Sequence, residues 1–284
     1  MASKVDLHIH STASDGRYSP AEIVQKAAAA GLAVMALADH DTVAGIVPAL
    51  EAVRAYPGLR LIPCVEINTD VASGEAHVLG YFIDYTCEEL LTNLQRMRGS
   101  REERAKGMMA KLDKLGLPLA WERVRELASG GSIGRPHIAQ AMLEKGYIHT
   151  IREAFDKYIG WGGPAYVERK KMTPVEAVKL VLAASGLPVL AHPFTFENPE
   201  AMITELKAAG LIGLEAYYGS YSASQVNRLV GLAQENHLLT TGGSDYHGLD
   251  ESAEVPIGGV NVPLASAERL FTLAKQQNLK MARP

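Results

Sequence analysis

Two histidines, His8 and His10, lie two residues apart in the apolar stretch KVDLHIH near the N-terminus. In a β-strand, residues two apart point to the same face, so both imidazoles could reach one cation. Asp15 follows in the segment STASDG and could add a carboxylate, although an Asp-Gly pair also makes an ordinary turn. The pair alone is also compatible with a hydrogen-bonded structural pair, so the rest of the chain has to decide.

More metal-competent side chains follow apolar runs farther along the chain. Together they number six histidines and three carboxylates: His8, His10, Asp15, His40, Glu66, His77, His192, Asp245 and His247. A single histidine at a strand end is usually a hydrogen-bonded polar residue, and Asp39 and Asp41 could be helix caps. Nine such groups at successive strand ends are hard to explain as independent turns, so we predict a metal centre there. His149 and His237 lie in helical or helix-exit contexts and are interpreted as surface or packing residues.

The elements expected to position these ligands are strands that alternate with helices. Predicted strands cover residues 5–9, 33–38, 60–65, 76–83, 187–191, 212–216 and 238–241. One helix is predicted to begin with Ser19 as N-cap and Pro20 in its first turn, and to stop at Gly31. The segment 173–186 repeats this pattern, with a threonine and a proline at its start and a glycine at its end. This alternation predicts an α/β barrel or sheet with mostly parallel strands.

The alternation stops between about residues 88 and 163, where the pattern is helical almost throughout. We therefore predict a barrel made of residues 1–87 and 164–284, with residues 88–163 as a helical insertion, or cap. Residues 96–171 hold 16 Lys and Arg against 9 Asp and Glu, a local charge of +7 on a chain of net charge −4. Such a basic segment indicates either a place for an anionic ligand or a solvated helical surface. It is not dense enough in Lys and Arg to predict binding of duplex DNA.

Composition limits the class of protein. The chain has 284 residues, 47% of them hydrophobic and 21% charged, which is typical of one large globular domain carrying an insertion. Its two cysteines are too few for a disulfide framework. The N-terminus has no apolar signal segment, and no apolar run approaches the roughly 20 residues that span a bilayer. We therefore expect a cytoplasmic protein without a membrane partner; the sequence gives no indication of its oligomeric state.

Six motifs occur in a specific order: DLHIHSTASDG, ALADHDT, CVEIN, HVLGYF, LAHP and GSDYHG. In order and spacing they resemble the polymerase and histidinol phosphatase (PHP) family. The resemblance implies a distorted (β/α)7 barrel with a trinuclear metal centre. It further implies three ligand sets: His8, His10, Glu66 and Asp245 for one ion; Asp15, His40 and His247 for a second; Glu66, His77 and His192 for a third. Glu66 would then bridge two ions.

Some relatives have a histidine where this chain has Asp15. Mixed carboxylate and imidazole ligation favours two or three divalent ions of manganese, with zinc or iron as alternatives. Such a cluster suits phosphoester hydrolysis, because cations lower the pKa of a bound water and offset charge on the phosphoryl oxygens. His192 or Asp245 could also relay a proton to the leaving oxygen.

Within the predicted insertion, the segment GRPHIA at 134–139 combines features that suit a phosphate. Arg135 can donate two hydrogen bonds, and His137 lies near the positive end of a predicted helix. An ordinary helix start with a solvated arginine is the alternative. With this motif the chain resembles the 3′,5′-nucleotide bisphosphate phosphatase subgroup, which is also linked to 5′-to-3′ trimming of short RNA. Lys170 and Lys171 are weaker candidates for the same role.

Three functions remain open at this point. The first is a phosphatase that removes the 3′-phosphate from a nucleotide 3′,5′-bisphosphate and also trims short oligoribonucleotides. The second is a phosphatase for a small metabolite such as histidinol phosphate, and the third is a non-catalytic metal-binding module. Trp161, Tyr217 and Tyr218 are aromatic positions that could stack a nucleobase.

Overall fold

Seven strands hydrogen-bond in chain order and form one nearly closed barrel sheet. The computed structural model describes residues 4–71, 74–128, 133–168, 172–250 and 252–279. The strands are β1 (Lys4–Ile9), β2 (Leu32–Leu37), β3 (Arg60–Val71), β4 (Gly74–Tyr81), β5 (Leu187–Leu190), β6 (Gly213–Tyr218) and β7 (Leu239–Gly243). The circle is nearly closed where Ile9 bridges Tyr246, just beyond β7. All seven strands overlap those predicted from the sequence.

The two helix starts that the sequence predicts, after Ser19 and after Thr173, are present among the ten α-helices of the described residues. The helices are α1 (Pro20–Ala29), α2 (Ile46–Val53), α3 (Glu88–Lys114), α4 (Trp121–Leu127), α5 (Arg135–Glu144), α6 (Ile151–Ala154), α7 (Pro174–Ala183), α8 (Pro199–Ala209), α9 (Ala223–Glu235) and α10 (Leu264–Gln276). Ser19 caps α1 and Thr173 caps α7, each in a capping box with a glutamate three residues later. No helix in the described ranges combines the length and the apolar composition needed to cross a bilayer.

The central part of the sheet departs from the mostly parallel arrangement. β4 pairs antiparallel with both β3 and β5, whereas the other neighbouring pairs are parallel. The reason is connectivity: β3 and β4 follow each other without an intervening helix, and only a helical crossover returns the chain for parallel pairing. β3 also runs six residues beyond its predicted end at residue 65, so Glu66 lies within a strand rather than after one.

Residues 88–159 contain four helices, α3 to α6, and a π-helical turn, Phe155–Ile159, in their described part. Fourteen buried residues form a hydrophobic cluster separate from those of the barrel. Thirteen come from this region, among them Met108, Ile138 and Met142, and the fourteenth is Ala165. The helical character predicted for 88–163 is therefore present, while the exact domain boundaries stay a prediction.

Helix α3 joins the barrel to the helical region. Its N-terminal part places Leu90, Leu94 and Met97 in the core cluster of the barrel. Its C-terminal part places Met108 and Leu112 in the cluster of the helical region. At 27 residues, α3 is about 40 Å long and carries both contacts in one uninterrupted helix.

Candidate metal centre

The carboxylate of Glu66 lies at the centre of the candidate site, with none of the residue exposed to solvent. Its two oxygens face five imidazoles. Oε1 lies 2.7 Å from His77 Nδ1 and 3.1 Å from His192 Nε2. Oε2 lies 3.1 Å from His8 Nε2, 3.3 Å from His10 Nε2 and 3.0 Å from His40 Nδ1. One carboxylate therefore holds together five potential ligands from β1, β4 and three loops.

Asp245 and Asp15 complete the cluster on either side. Asp245 Oδ1 lies 2.9 Å from His10 Nε2, and its Oδ2 accepts a hydrogen bond from the Tyr218 hydroxyl at 2.8 Å. Asp15 Oδ1 lies 3.5 Å from His247 Nε2, and Asp15 Oδ2 lies 3.9 Å from His40 Nε2. The structure thus brings all nine predicted ligands together.

Three groups of side chains in the described residues have the spacing to hold a cation. They are His8, His10, Glu66 and Asp245; His10, Asp15, His40 and His247; and His40, Glu66 and His77. The first group equals the first ligand set implied by the family resemblance, and the second adds His10 to the second set. The third contains His40 in place of His192, whose Nε2 nevertheless contacts the shared Glu66 carboxylate. The assignment of individual ligands to ions stays a prediction.

The donor atoms of the cluster fit divalent metal ions. His10 Nδ1 and His77 Nε2 are buried and have no hydrogen-bond partner in the described part of the chain. Such buried polar atoms are rare unless a ligand or water satisfies them. Meanwhile His8 Nδ1 lies 2.9 Å from a Glu215 oxygen, and His247 Nδ1 lies 2.9 Å from the Asp245 carbonyl. These contacts fix the tautomers that leave Nε2 of both rings available as ligands.

Carboxylates and imidazoles face one another in the cluster and shift each other's pKa values. Burial alone would raise the pKa of the Glu66 and Asp15 carboxyls, but the imidazoles around them outweigh it and hold both pKa values well below their usual range. Burial alone would lower the pKa of the histidines. Glu66 instead raises the pKa of His77 to about 9, and Asp15 raises the pKa of His247 to about 10. Both rings are therefore protonated at neutral pH before a metal binds.

Glu215 on β6 is a functional residue that the sequence reasoning missed. It is fully buried; Oε1 accepts a hydrogen bond from His8 Nδ1, and Oε2 accepts one from the backbone N–H of His192 at 2.9 Å. It thereby orients one ligand ring and the backbone of another. The available signal was a glutamate in the centre of the strand GLEAYY, whose flanking residues are all buried or half-buried.

Three further carboxylates anchor the loops that carry ligands. Asp39 accepts hydrogen bonds from the Ser11 N–H and hydroxyl and from the Ser14 hydroxyl. Asp6 accepts from the Ser244 N–H and hydroxyl. Glu254 accepts from four consecutive backbone N–H groups, those of His247, Gly248, Leu249 and Asp250. Asp39 was interpreted from the sequence as a possible helix cap and instead fixes the loop before Asp15.

Two of the nine candidate ligands have positive φ angles. His192 has φ of 28° and Asp245 has φ of 55°, a region that non-glycine residues rarely occupy. Such conformations persist only where the surrounding structure enforces them. Here the Glu215 contact to His192 and the Tyr218 and His10 contacts to Asp245 supply that enforcement.

The predicted substrate-binding residues have different outcomes. Arg135 begins α5, lines a cavity beside the metal ligands and donates a hydrogen bond to Glu75 at 2.8 Å. His137 is buried, and its Nδ1 accepts a hydrogen bond from the Gly134 N–H, so it caps α5 and a contact with substrate stays a prediction. Lys170 and Lys171 lie outside the described residues.

Two cavities adjoin the cluster. The first, of about 140 Å³, has Asp15, His40, His77 and His247 on one side and Arg101, Arg104 and Arg135 on the other. The second, of about 390 Å³, is lined by His192, Asp245, Tyr218 and Trp161 and shares its boundary with the first at His40, His77, Glu75 and Arg135. Of the aromatic positions singled out from the sequence, Trp161 and Tyr218 line this second cavity, and Tyr217 packs against a barrel core cluster.

Solved structures superpose on nearly the whole of this fold. A protein from Bifidobacterium adolescentis, assigned as a metal-dependent phosphoesterase, superposes with a TM-score of 0.88 at 29% identity, covering 96% of both chains. An amidohydrolase from Chromobacterium violaceum, solved with bound sulfate and no metal, gives 0.88 at 29% identity over 95% of this chain and 96% of that one. The architecture is that of a metal-dependent phosphoesterase.

Sequence comparison gives the family. The model of the PHP domain matches residues 6–168. A 5′-3′ exoribonuclease of Haemophilus influenzae is 36% identical over 87% of this chain and 91% of its own length. A 3′,5′-nucleoside bisphosphate phosphatase of Chromobacterium violaceum is 32% identical over 86% of this chain and 87% of its own length. The chain therefore belongs to the PHP domain family, as the motifs indicate.

Metal binding is expected to release protons. Because the pKa values of His77 and His247 are about 9 and 10 in the metal-free cluster, a bound cation must displace their protons at pH 7. Apparent Mn²⁺ affinity should therefore fall as the pH decreases from about 9 toward 6. Titration calorimetry at pH 7 in two buffers of different ionisation enthalpy should give different heats; equal heats would contradict this.

Replacing Glu66 by glutamine should remove metal and activity together while the fold survives. A neutral amide cannot bridge two cations, so we expect metal binding at least about 100-fold weaker. Metal analysis after dialysis, phosphate release and circular dichroism measure the three properties. The exposed Glu235→Gln is the matched control and should behave as the unmodified protein. Full metal content with normal turnover in Glu66→Gln would refute the assigned centre.

Replacing Glu215 by glutamine should weaken metal binding by about 10- to 100-fold, because Glu215 orients His8 and does not itself touch the ion. An amide can accept from His8 or from the His192 N–H, but its NH₂ group then faces the other donor. Activity should recover at saturating Mn²⁺, a recovery that Glu66→Gln should not show. Unchanged Mn²⁺ affinity in Glu215→Gln would show that the contact has no positioning role.

Proposed function

We propose that this PHP phosphoesterase removes the 3′-phosphate from nucleoside 3′,5′-bisphosphates, such as adenosine 3′,5′-bisphosphate to AMP. The same site would release 5′-nucleotides from short RNA in the 5′-to-3′ direction. Relatives that carry these two activities in their names are 32% and 36% identical to this chain over most of its length. A bisphosphate has one phosphate that is hydrolysed and a second that can be bound. We assign the first to the metal ligands and the second to the arginines of the first cavity.

The observation that carries the proposal is the first cavity. Metal ligands form one of its walls, and Arg101, Arg104 and Arg135 form the other. Three guanidinium groups beside a metal centre are suited to a second, remote anion, because arginine binds phosphate oxygens through paired hydrogen bonds. Arg101 and Arg104 come from α3 and were not singled out in the sequence, where they were part of the general basic charge.

The three arginines are held in different ways. Arg101 donates to Asp41 at 2.7 Å, while its Nη2 is buried without a hydrogen-bond partner in the described residues. Arg104 and Arg135 both reach the carboxylate of Glu75, at 3.4 Å and 2.8 Å. Glu75 therefore keeps two guanidiniums pointing toward the cavity, and Arg101 Nη2 offers a donor that a phosphate oxygen would satisfy.

The helical region reaches the metal ligands at Gly134. A Cβ atom there would lie 3.3 Å from Asp15 Oδ2 and 3.1 Å from Pro136 Cδ, so a larger residue would crowd the ligand. This close approach places Arg135 next to the cluster. A bound 5′-phosphate on Arg135 would therefore hold the rest of a nucleotide against the metal centre, which orients the 3′-phosphate for attack.

The metal centre would consist of two or three divalent ions, manganese by preference and zinc or iron as alternatives. When bound, the ions supply a nucleophilic water near neutral pH and positive charge for the phosphoryl oxygens. The chain itself binds the remote phosphate through its arginines and confines the substrate between the barrel rim and α5. His192 and Asp245 belong to the same cluster, and we assign to them the proton that the leaving O3′ takes up.

The alternatives fit this cavity less well. Histidinol phosphate has no second phosphate for the arginines of the first cavity to bind. A metal-binding module without catalysis needs no arginine wall, and the nine predicted ligands are all present in the cluster. A bisphosphate or a 5′-phosphorylated RNA end is an anion of the charge that this wall would attract.

Two substrates, compared in the unmodified enzyme and in an Arg135 variant, test the proposal. The 3′-nucleoside monophosphate should be much poorer than the 3′,5′-bisphosphate in kcat/KM, because it lacks the remote phosphate that orients the reacting one. Arg135→Met should keep its metal, lower kcat/KM on the bisphosphate by the equivalent of about 1.5–3 kcal/mol, and remove most of the preference. Phosphate release measures each rate.

Arg123→Met is the matched control, since Arg123 lies on the same helical region but is paired with Glu144 at the surface. It should keep the preference for the bisphosphate. Equal efficiency of the unmodified enzyme on both compounds would overturn the two-phosphate proposal and favour a small-metabolite phosphatase. Histidinol phosphate, included in the same assay, would then be expected to react fastest.

A further inference from the structure

The second cavity is larger than a terminal phosphate requires and lies on the far side of the shared boundary from Arg101 and Arg104. At about 390 Å³ it begins at His192 and Asp245 and extends outward between Trp161 and Tyr218. The bisphosphate reaction places only phosphoryl oxygens on this side. The remaining space is thus unexplained by a mononucleotide substrate.

The aromatic side chains of this cavity come from opposite sides. Trp161 comes from the helical region, is 53% exposed, and contacts the edge of Tyr166 with ring centroids 5.1 Å apart. Tyr218 comes from β6, and its hydroxyl is fixed on Asp245. An indole exposed to this extent beside a metal centre has surface available for a ligand.

An aromatic strip continues from Tyr218 away from the metal centre. The Tyr218 and Tyr221 rings have centroids 5.0 Å apart, and the Tyr221 and Phe194 rings 5.6 Å apart. Arg228 lies over Phe194 at 5.8 Å and is paired with Glu200, so the strip is mainly aromatic in character. Exposed aromatic side chains are a feature by which proteins bind single-stranded nucleic acid, since every base has a stacking face.

We propose that the second cavity binds the nucleotide on the 3′ side of the scissile phosphate, with its base stacked on Trp161. The proposal rests on the function proposed above and adds to it a binding site for the second nucleotide of an RNA substrate. In this geometry the 5′-terminal nucleotide occupies the first cavity, its 5′-phosphate lies on Arg135, and the diester crosses the metal centre. Stacking contacts the face of a base and not its hydrogen-bonding edge, so the subsite should accept any base.

The bond changes are the same for both substrates. A water oxygen forms a bond to phosphorus, the bond between phosphorus and O3′ breaks, and O3′ takes up a proton. From a bisphosphate this gives inorganic phosphate and a 5′-mononucleotide. From an RNA it gives a 5′-mononucleotide and a shortened chain that keeps the phosphate on its new 5′ end, which is again a ligand for Arg135.

Three substrates separate this subsite from the bisphosphatase activity: pAp, the 5′-phosphorylated dinucleotide pApA, and its analogue with an abasic second ribose. Manganese-loaded enzyme should cleave all three, and pApA should give two molecules of 5′-AMP. Trp161→Ala should lower the kcat/KM ratio of pApA to pAp by about tenfold, the scale of one base–aromatic stack. Trp161→Phe should restore most of the ratio, and the abasic analogue should show no such loss.

Trp121→Ala is the matched control, because Trp121 lies in the same helical region but lines neither cavity; it should leave the ratio unchanged. An unchanged ratio in Trp161→Ala, or cleavage of pAp without cleavage of pApA, would overturn the subsite and leave the bisphosphatase proposal standing. Cleavage of pApA that depends on Trp161, with pAp inert, would support the subsite and overturn the bisphosphatase proposal. Inertness of both substrates would overturn both.

Discussion

A single buried carboxylate, that of Glu66, organises the candidate site. Without counter-charges an ionised group at zero exposure would cost several kcal/mol, and here five imidazoles supply them. The histidines in turn could not be packed together as cations without a central anion. The position of Glu66 inside β3 therefore sets the point at which the imidazoles of β1, β4 and the ligand-bearing loops converge.

Four further carboxylates lie behind the candidate ligands and hold their loops in place. Glu215, Asp39, Asp6 and Glu254 accept hydrogen bonds from backbone N–H groups of the loops that present ligands. Loops fixed in this manner tolerate the positive φ angles at His192 and Asp245. Contacts within the chain thus hold the ligand-bearing loops in place around the candidate site.

Sequence patterns predicted the strands and the ligands because both are local. His8 and His10 are paired by the period of one strand, and the other ligands follow short apolar runs. Glu215 and Arg101 could not be predicted, because their partners, His8 and Asp41, lie 207 and 60 residues away in the chain. The antiparallel pairing of β4 was also missed, since apolar runs carry no direction. Such features are set by tertiary contacts, which one sequence does not display.

Helix α3 has a mechanical consequence. Because it is embedded in the barrel core at Leu94 and in the core of the helical region at Leu112, the two bodies cannot hinge at this connection without breaking a continuous ladder of backbone hydrogen bonds. Arg101, midway along this strut, stays at a fixed separation from the ligands on the barrel rim. Under the proposed function the helix would act as a spacer: its rigidity would set the span between the two phosphates of a substrate without any closing motion.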